Sequence, residues 1–166
     1  MKKTGIFYGS STGTTREVAK KLGEALGVDS ADIFDVAVAK PSDLDGYDLI
    51  LFGCSTWGAG DMQDDMHDFL DGVQAIDLSG KEIALFGCGD ENMSSTFCDG
   101  VGEMRQMLIP TRARFLPGFP ADDYNFRSSK AVIDGRVVGL LIDQANHPAL
   151  TDSRIQQWAK IIKAEE

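Results

Sequence analysis

Two nearly continuous apolar runs constrain the fold of this chain more than any other feature. They cover residues 48–54 and 82–88, and each is typical of a strand that is buried on both faces. A shorter apolar run, Ile6-Phe7-Tyr8, precedes them, and segments with apolar residues at helical spacing lie between the runs. Strands that alternate with helices form parallel βαβ units. The sequence therefore predicts an α/β fold with a doubly wound parallel sheet.

The same patterns place the remaining elements. Strands are predicted at 6–8, 33–36, 48–54, 82–88 and 112–116, and helices at 18–26, 62–73 and 101–108, with a helical turn within 40–47. A last helix is predicted to follow an N-cap at Thr151 or Asp152, because Ile155, Trp158 and Ile162 recur at helical spacing. The length of 166 residues suits one domain, residues 1–166, with a single substantial core.

One segment, from about 117 to 146, interrupts the alternation. Val132-Ile133 and Val137-Val138 flank Asp134-Gly135-Arg136, a pattern that predicts a small hairpin. Residues 138–142 are apolar enough to return to the main sheet. We therefore interpret the segment as an insertion that splits the fifth strand.

Charge and cysteine content narrow the function classes. The net charge of −10 argues against a nucleic-acid surface and favours basic partners. No signal-peptide pattern is present and no apolar run is long enough to span a bilayer, so no membrane association is expected. Cys54, Cys88 and Cys98 are an odd number without C-x-x-C spacing. They are typical of reduced thiols, which predicts a cytoplasmic protein.

The turn after the first strand, residues 9–15, consists almost wholly of glycines and hydroxyl residues. It leads into a helical pattern, and the free N–H groups at a helix N-terminus form a ready anion site. The turn has neither the lysine of the G-x-x-x-x-G-K-[ST] loop nor a G-x-G-x-x-G pattern. It therefore predicts an enclosed monophosphate, although hydroxyl residues are also common in ordinary helix caps.

Two further loops, residues 54–60 and 88–98, follow the long buried strands. Ligands of open α/β sheets bind beyond the carboxyl ends of such strands. Trp57 stands among small residues in the first of these loops, where it is better suited to stack on a flat ring than to fill a core. These features together predict a ligand with a phosphate at one end and a planar ring at the other.

The three loops at the strand ends resemble those of a known family. Residues 6–15, 55–57 and 87–90 resemble the three FMN-binding loops of the flavodoxins, and the likeness extends to 137–140, Asp143 and 150–158. The insertion makes the chain similar to the long-chain flavodoxins. The resemblance implies a five-stranded sheet in the order 2-1-3-4-5, helices on both faces, and FMN bound at the switch point.

The resemblance also assigns site residues. The FMN phosphate is assigned to Ser10, Ser11, Thr12, Gly13, Thr14 and Thr15. One side of the isoalloxazine is assigned to Ser55, Thr56, Trp57 and Gly58. The other side and the pyrimidine edge are assigned to Cys88, Gly89, Asp90, Met93, Ser94, Thr96, Phe97 and Cys98. By hypothesis, the glycine after the tryptophan lets the intervening peptide flip, so that a carbonyl accepts a hydrogen bond from flavin N5–H.

The third loop departs from the family pattern. Long-chain flavodoxins usually stack a tyrosine on the outer ring face, and no tyrosine stands between Asp90 and Phe97 here. Met93 or Ser94 occupies that region, and a thioether can contact a ring without stacking on it. Two interpretations of Phe97 stay open: it contacts the flavin, or it packs in the core at a helix start, which burial preferences favour.

The function implied is a low-potential one-electron carrier that needs no catalytic side chain. The acidic residues expected around the flavin are Asp61, Asp64, Asp65, Asp90, Glu91 and Asp99. Their field would disfavour added negative charge on the flavin and attract basic partners. His67 lies among aspartates, but the spacing does not favour a metal site.

Two other functions are possible for such a fold. The main alternative is an FMN-dependent quinone or nitro reductase, because the missing tyrosine opens one face of the flavin ring. A signalling receiver is disfavoured, since the first and third strands end in Gly9-Ser10 and Cys54-Ser55 rather than in acids. By resemblance, the donor would be a ferredoxin–flavodoxin reductase or a pyruvate oxidoreductase, and the acceptors nitrogenase or radical enzymes. The chain is expected to act as a monomer.

Overall fold

A mostly parallel sheet with helices on both faces forms the centre of the molecule. The computed structural model describes residues 2–57, 60–93 and 95–165, without the side chain of Trp57. The strands are β1 (Thr4–Gly9), β2 (Ile33–Asp35), β3 (Leu49–Trp57), β4 (Asp61–Met62), β5 (Glu82–Cys88), β6 (Arg114–Phe115), β7 (Val132–Ile133), β8 (Arg136–Val137) and β9 (Leu140–Ile142). The helices are α1 (Thr14–Leu26), α2 (Asp64–Val73), α3 (Asp99–Leu108) and α4 (Pro148–Ala164). Single 3₁₀ turns cover 30–32, 41–46 and 109–111.

The strand order confirms the predicted topology. The sheet runs β2-β1-β3-β5, and both β6 and β9 pair with the free edge of β5. These pairings are all parallel, so the carboxyl ends of the strands lie at one edge of the sheet. In sequence terms this is the order 2-1-3-4-5, with the fifth strand divided into two short pieces.

Successive side chains of a central strand point to opposite faces of the sheet, and both faces are buried. This explains why the sequences of these strands are continuously apolar. In β3, Ile50 and Phe52 face a core formed with α2 and α3. Leu49 and Leu51 face a second core formed with α1 and α4. Because both faces of the sheet are covered, a polar residue at either set of positions would be desolvated. The apolar runs are therefore required by the two-layer packing of helices.

The insertion leaves the sheet after β6 and returns at β9. Its hairpin pairs Val132 with Val137 and Ile133 with Arg136. The predicted hairpin is thus confirmed, with its second arm one residue earlier than expected. Asp134 and Gly135 both have positive φ, as a two-residue type I′ turn requires.

The start of α4 differs from the prediction. The helix begins at Pro148 with His147 as its N-cap, whereas the predicted N-cap was Thr151 or Asp152. Proline is favoured in the first turn because its missing N–H has no acceptor there and its φ already suits a helix. Thr151 lies within that first turn and donates its hydroxyl hydrogen to Gln144. The short antiparallel pair of β3 and β4 was also not predicted.

Over the parts of the chain that the structure describes, no helix has both the length and the apolar character needed to cross a bilayer.

The close packing of β3 against β5 is testable at Gly53. A Cβ added there would overlap the ring of Phe86, which is fully buried and cannot move away cheaply. Gly53→Ala should therefore lower the free energy of unfolding by about 1–3 kcal/mol, read from urea unfolding midpoints. Gly46→Ala is the matched control, because nothing lies within 4 Å of an added Cβ and its φ is not positive. Equal midpoints for the two variants would contradict the packing described.

Candidate functional site

A cleft opens where the carboxyl ends of the strands meet. Its volume is about 380 Å³, within the range of small-molecule sites. It is lined by Thr12, Thr14, Ser55, Thr56, Cys88, Gly89, Asp90, Gln144 and Ala145. The three loops predicted from the sequence therefore contribute to one cleft. Gln144 and Ala145 were not predicted, although they follow β9 and so lie at the same edge of the sheet.

The first loop is shaped as the entry to a helix. Gly13 has a φ of 95° immediately before α1, a conformation that favours glycine. Its N–H donates to Ser10 Oγ at 3.0 Å, which fixes the turn. Ser11 is exposed and Thr12 lines the cleft. The first N–H groups of α1 have no acceptor within the helix, so they remain available to an anion in front of it.

Thr15, in the first turn of α1, has a buried side-chain hydroxyl. Its Oγ1 has no nitrogen or oxygen hydrogen-bond partner among the described residues, and it interacts with the thiol of Cys88, a weak hydrogen-bonding group. A buried hydroxyl without a partner costs about 1–3 kcal/mol. Such a group fits a ligand oxygen, and the surrounding hydroxyls and helix N–H groups fit a phosphate. The residues present are therefore consistent with the phosphate end of FMN.

Gln63 links the first loop to the second, and sequence analysis missed it. It is buried, and its Oε1 accepts from Met66 N–H at 2.9 Å, which caps α2. Its Nε2 donates to Ser11 Oγ at 3.3 Å and to Asp65 Oδ2 at 2.9 Å. No glycine or hydroxyl pattern marks this position in the sequence. The predicted helix began at residue 62, and glutamine is not among the preferred N-cap residues, so no local signal pointed to a capping role.

The second loop is held by α3. Thr56 Oγ1 accepts from Gly100 N–H at 3.0 Å, which joins the end of β3 to the start of that helix. The backbone of Trp57 pairs with Asp61 in β4. The predicted stacking of the Trp57 ring and the predicted role of Gly58 lie outside the described residues, and so does Ser94 in the third loop.

The third loop continues β5 into the cleft. Gly89 N–H donates to Ile142 O at 2.9 Å, and turns join Asp90 to Met93 and Met93 to Thr96. The side chain of Met93 is 49% exposed. It therefore stands at the surface of the loop rather than in the core.

Two predicted site residues at the end of this loop do not line the cleft. The side chain of Phe97 is fully buried, with its ring centroid 5.4 Å from that of Tyr124 and 4.9 Å from that of Phe126. The core interpretation of Phe97 is therefore the one that the packing supports. Cys98 is also fully buried, beneath Gly87 and before α3. An apolar ring and a thiol at a helix start are drawn into the core by the hydrophobic effect.

The acidic surface is smaller than the sequence suggested. Asp61, Asp64, Asp65, Asp68 and Asp71 are exposed on β4 and α2. Asp99, expected beside the flavin, is instead buried and accepts from Lys130 N–H at 2.7 Å. Glu91 is partly buried and paired with His147. The exposed carboxylates of the predicted set are therefore those of β4 and α2, while Asp90, which is partly buried, lines the cleft itself.

The thiol of Cys88 lies at the wall of the cleft, and those of Cys54 and Cys98 lie in the core. Cys54, Cys88 and Cys98 are free and buried. Burial raises the pKa of the Cys88 thiol to about 12 and raises those of Cys54 and Cys98 as well. Because the thiolate is the nucleophile, all three should be inert in the folded chain.

This inertness can be measured with a thiol reagent at about pH 8, where an ordinary thiol is partly ionised. The native chain should show no fast-reacting thiol, and the denatured chain should show three. Because the thiol pKa values are raised in the folded state, ionisation of the unfolded chain lowers the free energy of unfolding as pH rises above about 8.5. Ser153→Cys, at an exposed position of α4, supplies a reactive control. A fast reaction of the native wild type would contradict the burial of these side chains.

Comparison with known proteins places the chain in a family. A family model described as Flavodoxin matches residues 6–158. Flavodoxin 1 of Salmonella typhimurium is 43% identical over 164 residues, which cover 98% of this chain and 93% of that relative. The flavodoxin of Synechococcus elongatus is 36% identical over 167 residues, which cover 99% of this chain and 98% of that relative. A crystal structure of Fusobacterium nucleatum flavodoxin bound to flavin mononucleotide has a TM-score of 0.90 at 26% identity, and the match covers 99% of both chains. With the site geometry already described, these matches establish that the chain belongs to the flavodoxin family.

Proposed function

We propose that this chain is a one-electron carrier that binds FMN non-covalently in the cleft at the carboxyl ends of its strands. The observation that carries the proposal is the buried hydroxyl of Thr15, which has no nitrogen or oxygen partner among the described residues and lies beneath a loop of hydroxyls and helix N–H groups. The family membership and the FMN in the Fusobacterium nucleatum relative support it. The chain is an electron-transfer protein rather than an enzyme.

Each loop has a distinct part in holding the cofactor. The first loop, residues 10–15, binds the phosphate through hydroxyls and backbone N–H groups without a cationic side chain. The loops after β3 and β5 form the two sides of the ring site. When bound, FMN supplies the reversible uptake and release of electrons. The protein contributes binding, orientation and the surrounding charge, so no catalytic acid or base is required.

The charge of the chain favours a low reduction potential. Its net charge is −10, and the exposed carboxylates of α2 begin beside Gln63, which contacts the first loop. Adding negative charge near other negative charges is unfavourable, and more so in a partly desolvated cleft. Reduction of a flavin in this cleft is therefore opposed by the field of the protein.

The reductase alternative is not favoured. The relatives that match over nearly the full chain are named flavodoxins. Turnover of NADPH with a quinone, measured on the FMN-loaded chain, separates the two functions: a reductase consumes NADPH catalytically and a carrier does not.

The partners are redox proteins with basic surfaces. This part of the proposal is supported by the acidic side of the cleft and by the family. A ferredoxin–flavodoxin reductase or a pyruvate oxidoreductase as donor, and nitrogenase or radical enzymes as acceptors, are the candidates that the resemblance supplies. The buried free thiols suit a reducing compartment, which supports a cytoplasmic location, and we expect the chain to act as a monomer.

The phosphate site is tested by Thr15→Val, which keeps the side-chain shape and removes the hydroxyl. FMN affinity should fall about 5- to 100-fold, because a buried hydrogen bond to the phosphate is lost. The apoprotein should be as stable as the wild type or slightly more so, since a buried hydroxyl without a nitrogen or oxygen partner among the described residues is removed. Fluorescence quenching of FMN and urea unfolding measure the two quantities.

Thr111→Val is the matched control. Thr111 is also fully buried, but its hydroxyl donates to Leu108 O far from the cleft. This variant should lose stability and keep its FMN affinity. The proposed phosphate site would be refuted if Thr15→Val bound FMN as tightly as the wild type.

The acidic docking surface is tested by Asp64→Asn with Asp68→Asn, both exposed on α2. Electron transfer from the reduced protein to a basic acceptor such as cytochrome c should slow about threefold at low salt, because steering is weakened. The difference should shrink as salt screens the remaining charges. Glu24→Gln with Asp134→Asn removes two exposed charges on α1 and the hairpin and should have a smaller effect. Stopped-flow rates that are equal for both pairs would argue against docking through α2.

A further inference from the structure

A close contact between a histidine and a carboxylate 56 positions apart joins two segments at one wall of the cleft. His147 Nε2 lies 2.7 Å from Glu91 Oε1, and the two side chains are 29% and 16% exposed. Glu91 follows Asp90 in the third loop, and His147 is the cap residue of α4. The pair therefore joins the loop after β5 to the segment after β9, and both of these segments line the cleft.

A network of hydrogen bonds surrounds the pair. Asp143 Oδ2 accepts from Glu91 N–H at 2.9 Å and from Asn146 Nδ2 at 2.8 Å. Asn146 Nδ2 also donates to Asp90 Oδ1 at 2.7 Å. Glu91 Oε2 accepts from Asn125 N–H at 2.7 Å, which ties in the insertion. The backbone around Asp90, at the cleft, is therefore positioned largely through Glu91 and its neighbours.

This arrangement is better explained as a clamp than as a metal site. Side-chain atoms of Glu91, Asp143 and His147 lie within 4.8 Å of one another, which metal ligands could satisfy. However, Asp143 already accepts hydrogen bonds at both oxygens, from Glu91 N–H, Asn146 N–H and Asn146 Nδ2. The carboxylates are thus engaged in holding the loop.

Of the two side chains in the clamp, His147 is the one whose charge can change near neutral pH. The pKa of Glu91 is lowered, first by the Asn125 N–H bond and further by His147, so Glu91 stays ionised through neutral pH. An imidazole changes its charge between about pH 5 and 8. The contact has the distance of an ion pair but not the direction of a linear hydrogen bond. Its strength therefore depends mainly on the imidazole charge.

The charged and polar groups around His147 determine whether a charge on its imidazole strengthens or weakens the contact with Glu91. Glu91 and Asp143 attract the imidazole when it carries a proton. The N-terminus of α4 repels a protonated imidazole through the helix dipole. The ring of Tyr124 packs against His147 at 5.3 Å, and Arg154 covers that ring at 4.1 Å. The two carboxylates are the close charged contacts, so protonation of His147 strengthens the clamp.

We propose that Glu91 and His147 act as positioning residues for the FMN site, forming a clamp that tightens the third loop when His147 is protonated and loosens it when His147 is neutral. The inference rests on the proposed FMN function for its effect on cofactor binding, but the clamp itself is a property of the apoprotein.

The test compares wild type with His147→Gln at about pH 5.5 and about pH 8, which bracket most of the range in which imidazoles in general change their charge. At the lower pH, FMN should bind about threefold more weakly to His147→Gln, a size expected of a partly exposed ion pair. At the higher pH the two proteins should bind alike. The quantity compared is the ratio of the two FMN affinities at each pH. The titration of the FMN phosphate affects both proteins equally and so cancels in this ratio.

Two further variants sharpen this comparison. Glu91→Gln should reproduce the loss at low pH, and the double variant should be no worse than either single one, because both remove the same interaction. His67→Gln is the matched control, since His67 is the other histidine of the chain and lies exposed on α2. It should bind FMN like the wild type at both pH values.

The apoprotein gives a readout that does not require FMN. Hydrogen-exchange protection at the Glu91 amide should be lower in His147→Gln than in wild type at the lower pH, and equal at the higher pH. The clamp is refuted if the ratio of variant to wild type, for FMN affinity or for protection of the Glu91 amide, is the same at both pH values. The contact would then be purely structural. Failure of the wild type to bind FMN refutes the proposed function, while the exchange data still decide the clamp.

Discussion

The parallel direction of the main strands is the constraint on which the site depends. Because β1, β3 and β5 all run the same way, each delivers the loop that follows it to one edge of the sheet. Covering both faces with helices makes the strands apolar and leaves that edge as the place for polar loops. The hydroxyl-rich turn, the Thr56 loop and the third loop are therefore brought together by topology. Their separation in sequence reflects the crossover connections between parallel strands.

The split fifth strand adds a second source of residues to the same edge. β6 pairs with the start of β5 and β9 with its end, so the chain reaches the cleft again after the insertion. Gln144 and Ala145 line the cleft, and their neighbours Asp143, Asn146 and His147 contact the third loop. The end of the insertion thus contributes to one wall of the cleft. It also supplies Asn125, whose N–H bond helps to keep Glu91 ionised.

The sequence predicted the fold well because two-sided burial leaves a strong local pattern. The apolar runs at 48–54 and 82–88, and the glycine and hydroxyl composition of 9–15, identify strands and a helix entry without tertiary information. The start of α4 was misplaced because Thr151 resembles a cap while Pro148 begins the helix. Asp99 was expected among the acidic residues around the flavin, but it is buried, and Lys130 N–H donates a hydrogen bond to it there.

Other parts of the site could not be read from local sequence. Gln63 and His147 act through partners in remote segments, Ser11 and Glu91, and no spacing rule connects such pairs. Phe97 stands in a loop whose neighbours are polar, yet its ring packs with Tyr124 and Phe126 of the insertion. These contacts depend on the path of residues 117–131, where the sequence predicted no element, although it predicted the hairpin and the return to the sheet that follow.

The central claim is that the cleft binds FMN and that the protein uses it for single electrons. The most direct test is an anaerobic reductive titration of the FMN-loaded protein, with the visible spectrum followed against potential. The account predicts two well-separated one-electron steps, the second at a very low potential because the acidic protein opposes added negative charge. A single two-electron step, or a protein that takes up no FMN, would contradict it.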